Sequence, residues 1–211
     1  MYKLRKGDAA PVATLSEPRS FPPGKLKIAE ALRLLLLKKD FNAITTAEIA
    51  KTAGVTEALI YKYFKDKRDL LHQILAEYLE QYIMEREKDL KGIKGALNKL
   101  RKLIWSHINV YATNRVFAKI WMLEVRSVPE YYKSGPHKLV RQYSNLLLQI
   151  IKEGIKSGEF RTDVSPSFLE QVILGSIEHV CLSGIIFNRK ISTDVLTENL
   201  CNFIFKGIIR E

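Results

Sequence analysis

In the run TTAEIAKTAGVTEALIYKYFKDKRDLL, residues 45–71, the side chains able to do chemistry fall at helical spacing. Ile60 and Phe64, four residues apart, share one face, which leaves Glu57, Ala58, Tyr61 and Lys62 looking outward. That outward face combines a carboxylate, a methyl group, a phenol and an ammonium. Lysine and tyrosine bond phosphate oxygens or base edges, a carboxylate accepts from cytosine N4, and an alanine methyl meets a thymine methyl. The chemistry on offer is recognition of a double helix rather than bond making. His72, His107, His137 and His179 are dispersed, with no metal-ligand spacing, nucleophile elbow or phosphate-cradling glycine loop. Glu178 and His179 are adjacent, so they point to different parts of a helix surface and make a poor catalytic pair. The sequence predicts no enzyme, no cofactor and no metal.

The elements around that face are signalled locally. Thr45 with Glu48 three residues on forms a capping-box pattern, flanked at staple positions by Ile44 and Ile49. Gly54 suits the left-handed conformation that ends a helix. Thr56 then caps a second short helix between Val55 and Ile60, and Asp66 caps a third. Two helices of about two turns joined by a glycine turn predict a helix-turn-helix, packed on a preceding helix from Lys25 to about Asp40. The same spacing also suits a plain helical hairpin in a bundle, with Tyr61 and Lys62 merely solvated.

At these residues the chain resembles the TetR-type (tetracycline-repressor-like) transcriptional regulators. The shared elements are I-T-x-x-E-I-A-x-x-A-G-V-T from Ile44, L-I-Y-x-Y-F from Leu59 and K-D-K-x-D-L-L from Lys65. The resemblance is close over Lys25 to Leu71 and extends to the rest only in helix pattern and in touches such as KEGIKSGEFRTDVSP (152–166). It implies that Thr46, Thr56, Tyr61 and Lys67 bind phosphate, and that Glu57, Ala58 and Lys62 sit against bases. It implies a homodimer on a pseudo-palindromic operator, held by the last two helices of each subunit, and a ligand pocket between reading head and interface. The candidates for that pocket are Trp105, Asn109, Phe117, Trp121, Glu124, Tyr143, Glu178 and His179. Each alone is more often ordinary core, surface or a satisfied buried polar group; the combination of two tryptophans and several polar groups on apolar helices is what favours a pocket.

Across 211 residues the chain carries 11 Gly and 7 Pro, few enough to suit an all-α fold. Residues 1–23 hold four of the seven prolines and no periodicity, and read as a flexible arm whose Arg5 and Lys6 could enter a minor groove. Residues 24–71 read as the helix-turn-helix domain and 72–211 as a larger helical regulatory and dimerisation domain. Its helices are expected at about 67–90, 96–113, 115–127, 136–157, 166–187 and 193–209. The helix 166–187 is apolar nearly all round and must be covered on two sides; Val172 and Ile186 belong to that surface. Leu196, Leu200, Phe203 and Ile204 form a stripe on the last helix, a second candidate dimer surface.

The net charge is +11, which makes a polyanionic partner a fair expectation. Residues 24–70 carry ten Lys/Arg against six Asp/Glu, a denser excess than in the remainder. A second basic cluster, Arg86 to Lys102, suits a solvated face better than a nucleic-acid contact. Cys181 and Cys201 read as a reduced, buried pair. No start resembles a signal peptide, and the apolar window 172–187 falls short of the about 20 residues that span a bilayer. The reading is therefore a cytoplasmic, homodimeric, ligand-responsive DNA-binding repressor with a neutral or anionic lipophilic effector. Its rivals are an effector-independent architectural DNA-binding protein and a helical protein–protein adaptor.

Overall fold

The computed structural model describes residues 22–209. The expected arm, with Arg5 and Lys6, lies outside the described residues apart from its last two positions. Helix α1, Pro23–Leu36, begins two residues earlier than the apolar period suggests, because Pro23 stands in its first turn, where a missing N–H costs nothing. Its buried face of Ile28, Ala29, Ala31, Leu32 and Leu36 packs on α2, Thr46–Ala53, and α3, Glu57–Tyr63. A short 3-10 turn, Phe41–Ala43, carries the chain from α1 to α2.

Helix α4, Lys67–Leu90, starts on Asp66, whose carboxylate accepts from Asp69 N at 2.7 Å, while Asp69 returns the favour to Lys65 N at 2.9 Å. It runs unbroken for 24 residues, so the end of the helix-turn-helix unit falls inside a helix rather than in a linker. Beyond it, α5 (Ala96–Thr113) is the central helix, touching α4, α7 (Gly135–Ser157), α8 (Pro166–Ile186) and α9 (Thr193–Ile208). No local side chain caps α5. Glu159, from the α7–α8 loop, accepts from Ala96 N at 3.0 Å and Leu97 N at 3.1 Å instead. Those two N–H bonds hold its carboxyl below the usual range. The same loop is anchored by Phe160, fully buried over Gly154, where any Cβ would lie 2.3 Å from the ring.

The expected helix 115–127 is broken. Helix α6 is only Arg115–Lys119; the chain then widens into a π-helical turn, Ile120–Glu124, closed by Val125 N on Ile120 O at 3.1 Å, and a 3-10 turn follows at Pro129–Lys133. Such π turns are rare and recur at functional sites.

Helix α8 matches the expected 166–187 to within one residue, and its 21 residues are long and apolar enough to cross a membrane by length and composition only, a test that the core helix of a folded domain also passes. Its inward face, Leu169, Ile173, Ile177, Cys181 and Ile185, is buried on the neighbouring helices. Cys181 and Cys201 are free and fully buried, and burial pushes both thiols up to about 11.

Candidate nucleic-acid interface and regulatory interior

Each short helix of the reading head is fixed at its ends by its own sequence. Glu48 N donates to Thr45 Oγ1 at 3.1 Å and Thr45 N to Glu48 Oε2 at 3.0 Å, the complete capping box. Lys39 also bonds Glu48, and together these contacts hold the Glu48 carboxyl below its ordinary range. Gly54, at φ 65°, turns the chain, with Val55 N on Ala50 O at 3.0 Å and Gly54 N on Lys51 O at 3.3 Å. Thr56 caps α3 through Leu59 N, a longer contact at 3.4 Å.

Ile60 and Phe64 are buried behind α3, and Glu57, Ala58, Tyr61 and Lys62 are exposed on its other side. Tyr63 lies across the start of α1, where a Cβ on Gly24 would sit 3.4 Å from its ring and 3.1 Å from Leu59. Besides the capping Thr56, three residues expected at the interface, Thr46, Glu57 and Lys67, have partners inside the head. Thr46 donates to Glu57 Oε2 at 2.8 Å, tying the start of α2 to the start of α3. Lys67 Nζ donates to Phe41 O at 2.9 Å and Ile44 O at 2.6 Å and lies 4.4 Å from the Phe41 ring centre. Desolvation lowers its pKa from the ordinary value. The ammonium therefore clamps the α1–α2 connection, a role that its place in the sequence did not suggest.

The pocket candidates separate into four places. Phe117, Trp121, Tyr143 and Glu178 reach the interior between α4, α5, α7 and α8. There Tyr78 packs on Phe117 at 4.2 Å, Phe117 stacks near Trp121 at 6.3 Å, and Tyr82 meets Tyr143 at 5.4 Å, centroid to centroid. His107 stands at the centre, 3.0 Å from the Tyr111 hydroxyl through Nε2 and 3.1 Å from the Tyr143 hydroxyl through Nδ1. A neutral imidazole has one donor and one acceptor nitrogen, so one phenol gives and the other receives. Burial pushes this imidazole down to about 4. Arg126 lies 4.8 Å from the Trp121 ring centre and donates to both oxygens of Glu178, at 2.7 and 2.5 Å.

Trp105 and Asn109 lie apart from this cluster, one helical turn from each other and against the start of α9. Trp105 Nε1 donates to Asp194 Oδ1 at 2.8 Å, and Thr193 Oγ1 approaches Asn109 Oδ1 at 3.5 Å. Glu124 faces the reading head, accepting from Asn42 Nδ2 at 3.4 Å. His179 is on the outer side of α8, in a shallow apolar groove with Val172, Leu196, Leu200 and Phe203. Sequence reasoning missed His107, Tyr111, Tyr78, Tyr82, Arg126 and Tyr131. The signal was present for four of them: Tyr78 and Tyr82 on α4, and His107 and Tyr111 on α5, are pairs at four-residue spacing.

The outer faces of α8 and α9 expose Phe168, Val172, Val180, Ile186, Phe187 and Phe203, the last at 79%. Leu200 and Ile204, expected on the dimer surface, are buried within the chain at 8% and 6%. The apolar stripe of α9 is wider than one interface, and its inner half packs on α5.

Known proteins match along this division. Residues 28–74 match the model for bacterial regulatory proteins of the tetR family, and residues 75–207 that for the C-terminal region of YsiA-like protein. The fatty acid metabolism regulator protein of Bacillus subtilis (strain 168) is 27% identical over 186 residues, 88% of this chain and 96% of that one. The HTH-type transcriptional regulator QacR of Staphylococcus aureus is 26% identical over 141 residues, 64% of this chain and 73% of that one. The crystal structure of a transcriptional regulator FadR from Bacillus subtilis in complex with stearoyl-CoA superposes with a TM-score of 0.79 at 28% identity, covering 87% of this chain and 98% of that one. With a motif-bearing head, a helical body and models that together run from residue 28 to 207, this chain belongs to the tetR family of bacterial regulatory proteins, which bind DNA and small effectors and are not enzymes.

Proposed function

We propose that the protein is a homodimeric repressor that binds a pseudo-palindromic operator and is released from it by a long-chain acyl derivative. The observation that carries the DNA reading is the face of α3: Glu57, Ala58, Tyr61 and Lys62 exposed together on a helix whose back is locked by Ile60 and Phe64. In this reading Lys62 and Glu57 meet base edges with Ala58, while Tyr61, Thr56 and Thr46 hold phosphates. Two heads are needed to read two half-sites, and the exposed apolar faces of α8 and α9 suit the pairing of subunits. Support for an acyl effector comes from the stearoyl-CoA held by the FadR structure and from the aromatic character of the interior around Phe117, Trp121 and Tyr143, beside which Arg126 is neutralised by Glu178. The effector acts by binding one spacing of the heads better than the other.

Fluorescence anisotropy with a duplex from upstream of the chain's own gene tests this reading. Affinity is expected to fall steeply with salt as phosphate contacts release counterions. Palmitoyl-CoA is expected to reverse binding. Equal affinity for random duplex overturns the operator reading, and undiminished binding with palmitoyl-CoA leaves an effector-independent DNA-binding protein.

A further inference from the structure

Among the described residues six buried side-chain polar atoms have no hydrogen-bond partner, and two of them belong to rings in contact: His72 Nε2, in the second turn of α4, and the Tyr131 hydroxyl, in the 3-10 turn Pro129–Lys133. Their rings meet edge to face, centroids 6.1 Å apart. Trp121, from the π-helical turn, closes on Tyr131 at 6.1 Å, and His137, at the start of α7, at 5.5 Å. Tyr131 as a whole is 1% exposed. His107 shows what the same interior does with a structural imidazole, since both its nitrogens lie within hydrogen-bond distance of a phenol. An unmade bond in such a place costs free energy, and the great majority of buried polar groups are satisfied. The orphan pair is thus a place where something else belongs.

The charges around it say what kind of group. Arg126, over Trp121, is matched by both oxygens of Glu178. On α4 the influence of Arg68 on His72 is opposed by Asp69 and Asp66. Burial, the largest cause, keeps His72 below its ordinary pKa and neutral near pH 7, and burial likewise keeps Tyr131 a neutral phenol. A carboxylate brought here would meet Arg126 already bound by Glu178 and Arg68 offset by two carboxylates on its own helix, whereas an uncharged carbonyl needs no counter-charge.

We propose that Tyr131 and His72 form the polar end of the effector site and donate hydrogen bonds to the uncharged carbonyl oxygen of an acyl derivative, a thioester or ester rather than a free fatty acid. This rests on the acyl-effector reading above and adds the residues and the charge state that it recognises. The wall of the site is the irregular segment 120–133, whose Glu124 contacts Asn42 of the reading head. A carbonyl seated between α4 and Tyr131 therefore touches a segment that also touches the head's α1–α2 connection through that bond.

The test uses the full chain and the variant Tyr131→Phe, which removes only the unpartnered oxygen. Titration calorimetry is run with palmitoyl-CoA, with S-palmitoyl-N-acetylcysteamine (a neutral thioester without the nucleotide) and with palmitate. Expected are roughly tenfold weaker binding of both thioesters by the variant, a contribution of one hydrogen bond, and an unliganded melting temperature no lower than that of the parent. The parent should bind the neutral thioester more tightly than palmitate. If the parent binds palmitoyl-CoA and the variant binds it equally well, the Tyr131 assignment is overturned while the acyl-effector reading survives. If palmitate binds as tightly as the neutral thioester, the uncharged-carbonyl assignment is overturned. A variant that melts lower makes Tyr131 a structural group and overturns the proposal. A parent that binds none of the three overturns both readings together.

Discussion

The reading head and the regulatory interior use polar side chains in opposite ways. In the head, the helix-capping groups act on their own backbone within a few residues, as Thr45 and Glu48 do, and the Lys67 clamp on the α1–α2 connection is the long-range exception. In the interior they meet across the fold: His107 of α5 with Tyr143 of α7, Arg126 beside the π turn with Glu178 of α8, Glu159 of the α7–α8 loop with the start of α5. Local caps give a rigid, repeatable shape from little sequence, which is what a reader of a fixed double helix needs. Long-range polar contacts depend on how the helices pack, which lets one body plan take different effectors. The head is stiff by chemistry that is near in sequence, and the interior is adaptable because its chemistry is far apart.

Deleting the support behind the reading face should have the largest effect. Phe64→Ala removes a side chain only 2% exposed and is expected to cost about 3–5 kcal/mol in urea unfolding, with operator binding lost as α3 comes free. A variant that keeps operator affinity would mean that α3 is held by its caps alone.

The interior should reveal itself next, through acid. The folded site holds His107 at about 4, while in the unfolded chain it returns to its ordinary 6.5. Between those values the unfolded state binds more protons, so stability falls as pH drops from about 6.5 towards 4, by an amount on the order of 1–3 kcal/mol. His72 is shifted in the same direction and adds to the trend. Unfolding free energies at pH 7 and pH 4.5 for the parent and for His107→Gln measure it, the variant being the less pH-sensitive. An equal pH dependence in both would remove His107 as its source.

Thr45→Ala is a smaller perturbation, about 1 kcal/mol, because it removes one capping interaction and leaves the core intact. Thr56→Ala should cost less, its contact to Leu59 N being the longer. A reversal of that order would break the link drawn here between cap geometry and head stability.

The two lysines carry the most information about DNA. Lys67→Ala should weaken binding to all sequences while leaving the slope of log affinity against log salt unchanged, since the clamped ammonium acts on Phe41 O and Ile44 O. A phosphate-gripping Lys67 would instead lower that slope by about 0.9. Lys62→Ala should shift base preference in a binding-site selection, and an unchanged preference would take Lys62 off the base edges.

Most of the head was legible because its signals are local. The threonine caps, Gly54 and the spacing of Ile60 and Phe64 fix α2 and α3 without reference to anything remote. The expected outward face of α3 is the exposed one. What the sequence hid there was reach: nothing near Lys67 announces that its ammonium bonds the turn at Phe41–Ala43. The body was legible as helices but not as a site. Trp105 and Trp121 look equivalent in sequence, yet one bonds the start of α9 and the other lines the interior. Leu200 and Phe203 share one apolar stripe, yet only Phe203 remains for a partner. The break at Ile120 left no proline or glycine to announce it, because a π turn needs only one shifted hydrogen bond.

Helix α4 passes from head to body without a joint. Each residue of an α-helix advances about 1.5 Å and turns about 100°, so the orientation of the reading face relative to the body is written in a residue count. A single insertion between Leu71 and Tyr78 would swing the head by more than a quarter of a revolution, whereas three or four residues would nearly restore its bearing. Heads and bodies of different family members can therefore be exchanged along this shaft only in phase. A library of chimaeras joined within α4 would recover operator binding with a period of about 3.6 residues, a geometric clock running through the evolution of the whole molecule.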